Sequence, residues 1–175
     1  MLALWIAAAV AALLIAGALS FAARIRARHR RFLRAEPPSA AADAERIIDQ
    51  PQALYHGTRF ADGSALLAPA WRDACVCDVW CTGEGLFIRR EGQGALLTIA
   101  HGEIEEAALH RAFAAIAGKD LPMLRLRWRR GGEPMVTELS LRGGMASLEA
   151  LRKEIHLRQG GVKEQLAPLL DRTPG

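Results

Sequence analysis

Cys75, Cys77 and Cys81, in the spacing C-x-C-x3-C, are the first candidates for chemistry. On a strand all three project to one face, where their thiolates and a histidine such as His56 make a four-ligand metal set. Structural zinc sites favour C-x2-C knuckles, and cysteine is among the most buried residue types, so the spacing points first to three small apolar groups in a core. Neighbours on one strand are also badly placed for a disulfide. His56, His101, His110 and His156 show no ligand spacing, and no G-x-S-x-G, Walker loop, H-E-x-x-H or dinucleotide fingerprint occurs. The glycines between Gly83 and Gly94 fall at two hairpin ends and read as turns. No catalytic residue, metal or cofactor is expected.

Arginines are the other chemical resource. Arg125, Arg127 and Arg129 alternate with Leu124, Leu126 and Trp128, so they share one face of a strand, and Arg89, Arg90 and Arg130 sit at neighbouring hairpin positions. Guanidinium groups gathered on one surface would hold phosphates or an acidic partner. The competing reading is a solvated face whose charges pair with Glu138 or Glu133 across the hairpin. A second cluster, Arg24, Arg26, Arg28, Arg30, Arg31 and Arg34, contains no acid. It accounts for the basic balance: the chain carries 23 Lys+Arg against 19 Asp+Glu, and without these six the remainder is formally −2. Nucleic-acid binding by the folded part is therefore not expected.

These groups must be positioned by elements that the 175 residues can build, one ordinary domain and an appendage. Residues 2–23 carry no charge; as a helix they reach about 33 Å, enough for the roughly 30 Å hydrocarbon core. Because the basic cluster follows the apolar run and no Lys or Arg precedes it, the flank order fits a retained anchor rather than a cleaved signal. The positive-inside rule then puts the N-terminus outside and the rest in the cytoplasm. Residues 24–34 form a basic juxtamembrane segment touching lipid phosphates at about 1 kcal/mol per residue. Ala8, Ala12 and Ala16 have the spacing of a weak homodimer contact through the span.

Residues 35–52, with Pro37-Pro38 and Pro51, read as a linker with one helical turn around Ala42 to Ile48. The folded domain is expected over residues 53–158. Strand signals cover Asp73 to Thr82, Leu86 to Arg90, Ala95 to Ala100, Met123 to Arg130 and Met135 to Leu141, each bounded by glycine-rich turns. Met145 to Arg158 changes to a helical period with Leu148, Leu151 and Ile155 on one face. Gly160-Gly161 is expected to end that helix, leaving residues 159–175 as a tail. The alanines and glutamates of Glu103 to Gly118 favour a helix by propensity, with a strand and loop as the alternative.

Short hairpins followed by one amphipathic helix suggest a strongly bent antiparallel sheet with a helix in its open end. The sequence combines the basic-flanked span, Tyr55-His56-Gly57-Thr58, the hairpin Thr82-Gly83-Glu84-Gly85-Leu86-Phe87-Ile88-Arg89-Arg90, the turn Ala117-Gly118-Lys119 and the strand Leu126-Arg127-Trp128-Arg129. Together they resemble the actinobacterial single-span membrane proteins with a PH-like domain, often labelled transporters or export proteins. The resemblance spans most of residues 1–158. It implies a transmembrane helix plus a mainly-β PH-like barrel of about seven antiparallel strands capped by a C-terminal α-helix, with Ile104 to Arg111 as a strand. It transfers no ligand site, since fold does not dictate ligand. The expected function is a membrane-anchored, non-enzymatic interaction module at the cell membrane that binds a protein partner or anionic lipid. The alternative is an accessory subunit of a membrane transport or export system.

Overall fold

Apolar residues at every second position, bounded by glycines, form strands, and the computed structural model of the chain joins seven of them into one antiparallel sheet. The structure describes residues 2–34, 45–66, 68–91 and 96–170; Pro37-Pro38, the glycines at 92 and 94 and the last five residues lie outside them. Helix α1 (Leu2–Arg34) is followed by β1 (Ile48–Phe60), the one-turn α2 (Pro69–Arg72), β2 (Cys75–Cys81), β3 (Gly85–Arg90) and β4 (Leu96–Ala100). A 3-10 turn, His101–Glu103, leads into β5 (Ile104–Ala114), β6 (Lys119–Arg130), β7 (Glu133–Ser140) and the C-terminal α3 (Gly144–Leu170). Within α1, Ala9–Phe32 is long and apolar enough to cross a membrane. Ala12 and Ala16 are exposed on it.

The sheet order is β4-β3-β2-β1-β7-β6-β5, so β4 and β5 are its two ends and the expected barrel is not closed. Side chains span the gap instead. Arg130 points inward from the end of β6, donates to the Thr98 carbonyl of β4 and forms two further bonds to the Glu103 carboxylate at 2.8 and 3.1 Å. Helix α3 lies along β5, β6 and the 3-10 turn, with Leu148, Leu151 and Ile155 fully buried. Contacts of Arg130 and α3 thus stand where β4 and β5 form no ladder of their own.

Inside the sheet, polar groups are satisfied in series. The Trp128 indole N–H donates to Thr137 Oγ1 at 2.9 Å, which lies 2.7 Å from Thr58 Oγ1, itself 2.5 Å from the Tyr55 hydroxyl. The Trp71 carbonyl, 2.5 Å from that hydroxyl, can only accept, so Tyr55 donates to it and every hydroxyl in the chain donates once in the same direction. This ties β6, β7 and β1 to α2. Burial raises the Tyr55 phenol well above its ordinary value, so it stays protonated.

Three boundaries differ from expectation. Residues 48–50, assigned to the linker, are already strand, because Ile48, Asp49 and Gln50 pair with Cys81, Trp80 and Val79. Pro51 falls where the register shifts between Gln50 and Ala53, so its missing N–H interrupts no regular ladder. The helical turn expected near Ile48 is absent from the described residues 45–48. Ile104–Ala114 is the strand that the resemblance implies, running three residues past Arg111, and it forms against its own propensity because ten of its residues pair along β6. Helix α3 passes through Gly160 and Gly161 to Leu170, since Gly160 keeps a helical rather than left-handed backbone.

Gly57 marks the bend of β1. Its φ is +107°, and a Cβ there would lie 2.4 Å from the Arg72 carbonyl oxygen, whereas Gly63, at φ +84°, has open space. Gly57→Ala is expected to destabilise the full chain by about 2–4 kcal/mol and Gly63→Ala by about 1 kcal/mol. Urea unfolding in detergent, followed by tryptophan fluorescence, checks the ranking.

Candidate functional site

The basic end of α1 does not stand apart from the sheet. Ile25, Arg28, His29 and Phe32 follow the i, i+3, i+4, i+7 pattern of one helix face, and they are the more buried residues of this segment. Phe32, 5% exposed, joins the core and meets Trp128 edge-on at 6.2 Å. The Arg28 guanidinium lies 4.1 Å from the Phe60 ring centroid, donates to Glu133 Oε2 at 2.8 Å and pairs with Asp62. Arg31 reaches the other Glu133 oxygen at 3.2 Å. Arg24, Arg26 and Arg30 are exposed with no ion pair among the described residues, and Arg34 ends the helix. Two of the six cluster arginines thus hold the domain, a division visible in the helical spacing around Phe32. The two Ser64 hydrogen bonds, together with Arg28, hold Asp62 down at about 2.

The six candidate arginines of the sheet separate into two environments. Arg125, Arg127 and Arg129 face outward as expected, and each meets a carboxylate: Glu138 at 2.9 Å, Glu106 at 3.5 Å and Glu105 at 2.8 Å. Arg89 on β3 pairs with Asp78 at 3.0 Å. Arg90 and Arg130 are buried. Their parity explains this: Arg90 follows Leu86 and Ile88, and Arg130 follows Leu126 and Trp128, on the inward side of their strands. Arg90 donates to the Ala70 carbonyl and lies 6.0 Å from the Tyr55 ring. In sheet order β2, β1 and β7 lie between β3 and β6, so Arg89 does not extend the β6 row.

Glu138 collects more charge than its neighbours. Arg59 from β1 and Arg125 from β6 each donate to it at 2.9 Å, and His110 Nε2 of β5 lies 3.3 Å away. Burial pushes the Glu138 carboxyl up, but the two arginines more than offset this and its pKa is lowered. His56 Nε2 is 2.9 Å from Ser140 Oγ, which donates to the Pro122 carbonyl. The expected partner Glu133 serves α1 instead of the arginine row.

Cys77 and Cys81 are buried in the core and Cys75 is half-buried, all three as free thiols. Burial pushes the Cys77 and Cys81 thiols up to about 12, so both stay protonated at neutral pH. His101 Nε2 lies 3.9 Å from Cys81 Sγ but 3.0 Å from the Thr82 carbonyl, to which its N–H donates. His56 is engaged on Ser140, and no group of three metal-ligating side chains occurs among the described residues. His156 is exposed on α3.

An open trough of about 560 Å³ is floored by Leu54, Val76, Leu121, Pro122 and Leu141. It lies at one end of β1, β6 and β7; the opposite ends, carrying Phe60, Trp128 and Glu133, hold α1. Four strands, β1, β2, β6 and β7, contribute to this trough, so no local stretch of sequence signals it. No protein-family model matches the chain. No curated protein matches it either.

Burial lowers the His56 imidazole, with Glu138 opposing and His110 adding to the effect, and burial likewise lowers His101 despite its bond to the Thr82 carbonyl. The unfolded chain therefore takes up these protons first, at the ordinary value of 6.5. Their contribution to stability is complete above that pH and is lost as pH falls toward the folded values. The thermal midpoint is expected to drop on acidification from about pH 7.5 to about pH 5.5. His56→Gln with His101→Gln flattens the profile, as differential scanning fluorimetry at matched ionic strength will show.

Proposed function

We propose that the chain is a membrane-anchored, cytoplasm-facing, non-enzymatic PH-like interaction module that holds its sheet domain in one orientation beside the bilayer and there binds a protein partner. The observation that carries this reading is the continuity of α1 from its apolar stretch into the Phe32 contact with the core. Ala23 and Phe32 are nine residues apart, about 14 Å along a helix axis, so the domain stands directly at the headgroups rather than on a long tether. Arg24, Arg26 and Arg30 face away from the domain at that level, where anionic lipid attracts each by about 1 kcal/mol. The arginines after the apolar run support the cytoplasmic orientation. The strand order and the helix across the open sheet support the PH-like reading, and the protonated buried thiols support the non-enzymatic one.

A permanent anchor already localises the domain, so lipid affinity is not needed for targeting, which favours a protein partner over anionic lipid. An accessory role in transport or export is the same module with a polytopic partner, because the uncharged apolar stretch of α1 supplies no solute pathway of its own. Chemical crosslinking in the native membrane, comparing full-length protein with a residue 1–34 anchor, tests the reading. Full length is expected to enrich a defined protein that the anchor does not, and Phe32→Asp is expected to reduce that enrichment. Equal recovery with both sinks the module reading.

A further inference from the structure

The trough at the far end of the sheet has a charge imbalance that the arginine row lacks. Lys119 and Arg142 stand on its rim, and neither has a carboxylate within ion-pair distance among the described residues. Arg142 donates only to the neutral Gln52 side chain, at 2.8 Å, and so keeps an uncompensated charge. Among the described residues lining the trough, Glu91 is the single acid. By contrast, Arg125, Arg127 and Arg129 are each matched to an acid of the same domain.

Three further observations converge on the trough. Its volume of about 560 Å³ falls within the roughly 300–1,000 Å³ of ligand-binding clefts, and its floor is aliphatic. Gln52 on its lip has φ +57°, the only positive φ of a non-glycine residue among those described, a backbone conformation concentrated at functional positions. Ile116, beside the lining residue Ala117 at the tip of the β5–β6 hairpin, is 43% exposed and extends the apolar surface beyond the trough.

We propose that this trough receives an extended segment of a partner protein in which apolar side chains are flanked by Asp or Glu, the apolar groups on the Leu54–Leu121–Leu141 floor and the acids on Lys119 and Arg142. The proposal rests on the module reading above and names the chemistry of its partner. Placement separates this occupant from a lipid. Lys119 and Arg130 are the first and last residues of the twelve-residue β6, at most about 36 Å apart along the strand, with α1 docked at the Arg130 end. The anchor therefore meets the sheet at the end opposite the trough, which leaves the trough at the part of β6 farthest along the strand from the headgroups.

The test uses full-length protein in its native membrane, with the photo-crosslinking amino acid p-benzoylphenylalanine in place of Leu121 or, as a control outside the trough, in place of Arg127. The crosslinked peptides are sequenced by mass spectrometry. Adducts are expected at Leu121 and not at Arg127, on a segment with at least two apolar residues flanked by acids. Lys119→Glu with Arg142→Glu is expected to lower their yield roughly tenfold, and Lys119→Arg to preserve it. Both positions are exposed, and unchanged melting of the variants separates lost binding from lost folding. No adduct at Leu121, while full length still enriches a protein over the anchor, overturns the trough proposal and leaves the module reading standing. No adduct and no enrichment overturn both. A lipid adduct, an adduct to a second copy of this chain or a segment without acids overturns the trough proposal.

Discussion

The structure depends on how an unclosed sheet keeps its two ends together. Strands β4 and β5 do not pair, so the last residue of β6 does the bridging: the Arg130 guanidinium binds the Thr98 carbonyl and the Glu103 carboxylate in a nearly water-free place. A buried arginine is tolerated there only because its donors meet acceptors and the Trp128 ring lies 4.9 Å away. With that bridge in place the sheet has an interior, and α3 and Phe32 fill it. Phe32 also lies 5.9 Å from the same guanidinium, so the bridge that holds the sheet together is the one beneath the end of α1.

This shared position links architecture to the proposed role. A helix attached through a flexible linker would leave a domain free to reorient, whereas one aromatic side chain in the core and two arginines on Asp62 and Glu133 restrict it. The apolar contribution is the more durable of the two, because the Arg31 pair is largely exposed and salt weakens it. Under the proposed anchoring, the same constraint positions the molecule: the dock lies beside the bilayer, and the apolar trough lies at the other end of β1, β6 and β7.

The outward arginines show how pairing changes the meaning of a charged patch. Three guanidinium groups in a row suggest an anion site when only β6 is considered. Across the sheet each is answered by an acid, and Glu138 alone binds Arg59 and Arg125. An incoming anion would have to displace those carboxylates, while at Lys119 and Arg142 it would displace only water and a neutral amide.

Local pattern determined much of this chain. Two-residue alternation placed the hairpins of β2–β3 and β6–β7, helical period placed Leu148, Leu151 and Ile155 against the core, and the uncharged run marked the apolar part of α1. The inward course of Arg90 and Arg130 was also present in that alternation, since they share parity with Ile88 and Trp128, although charge suggested otherwise. Tertiary structure alone decided the rest. Ile104–Ala114 is helical by propensity and becomes a strand because β6 offers it a ladder. The Arg28 and Phe32 contacts, the bridge at Arg130 and the trough each join residues remote in the chain. Their energies come from burial and pairing that no local window contains, so the sequence determined which groups were available and the fold decided which of them met.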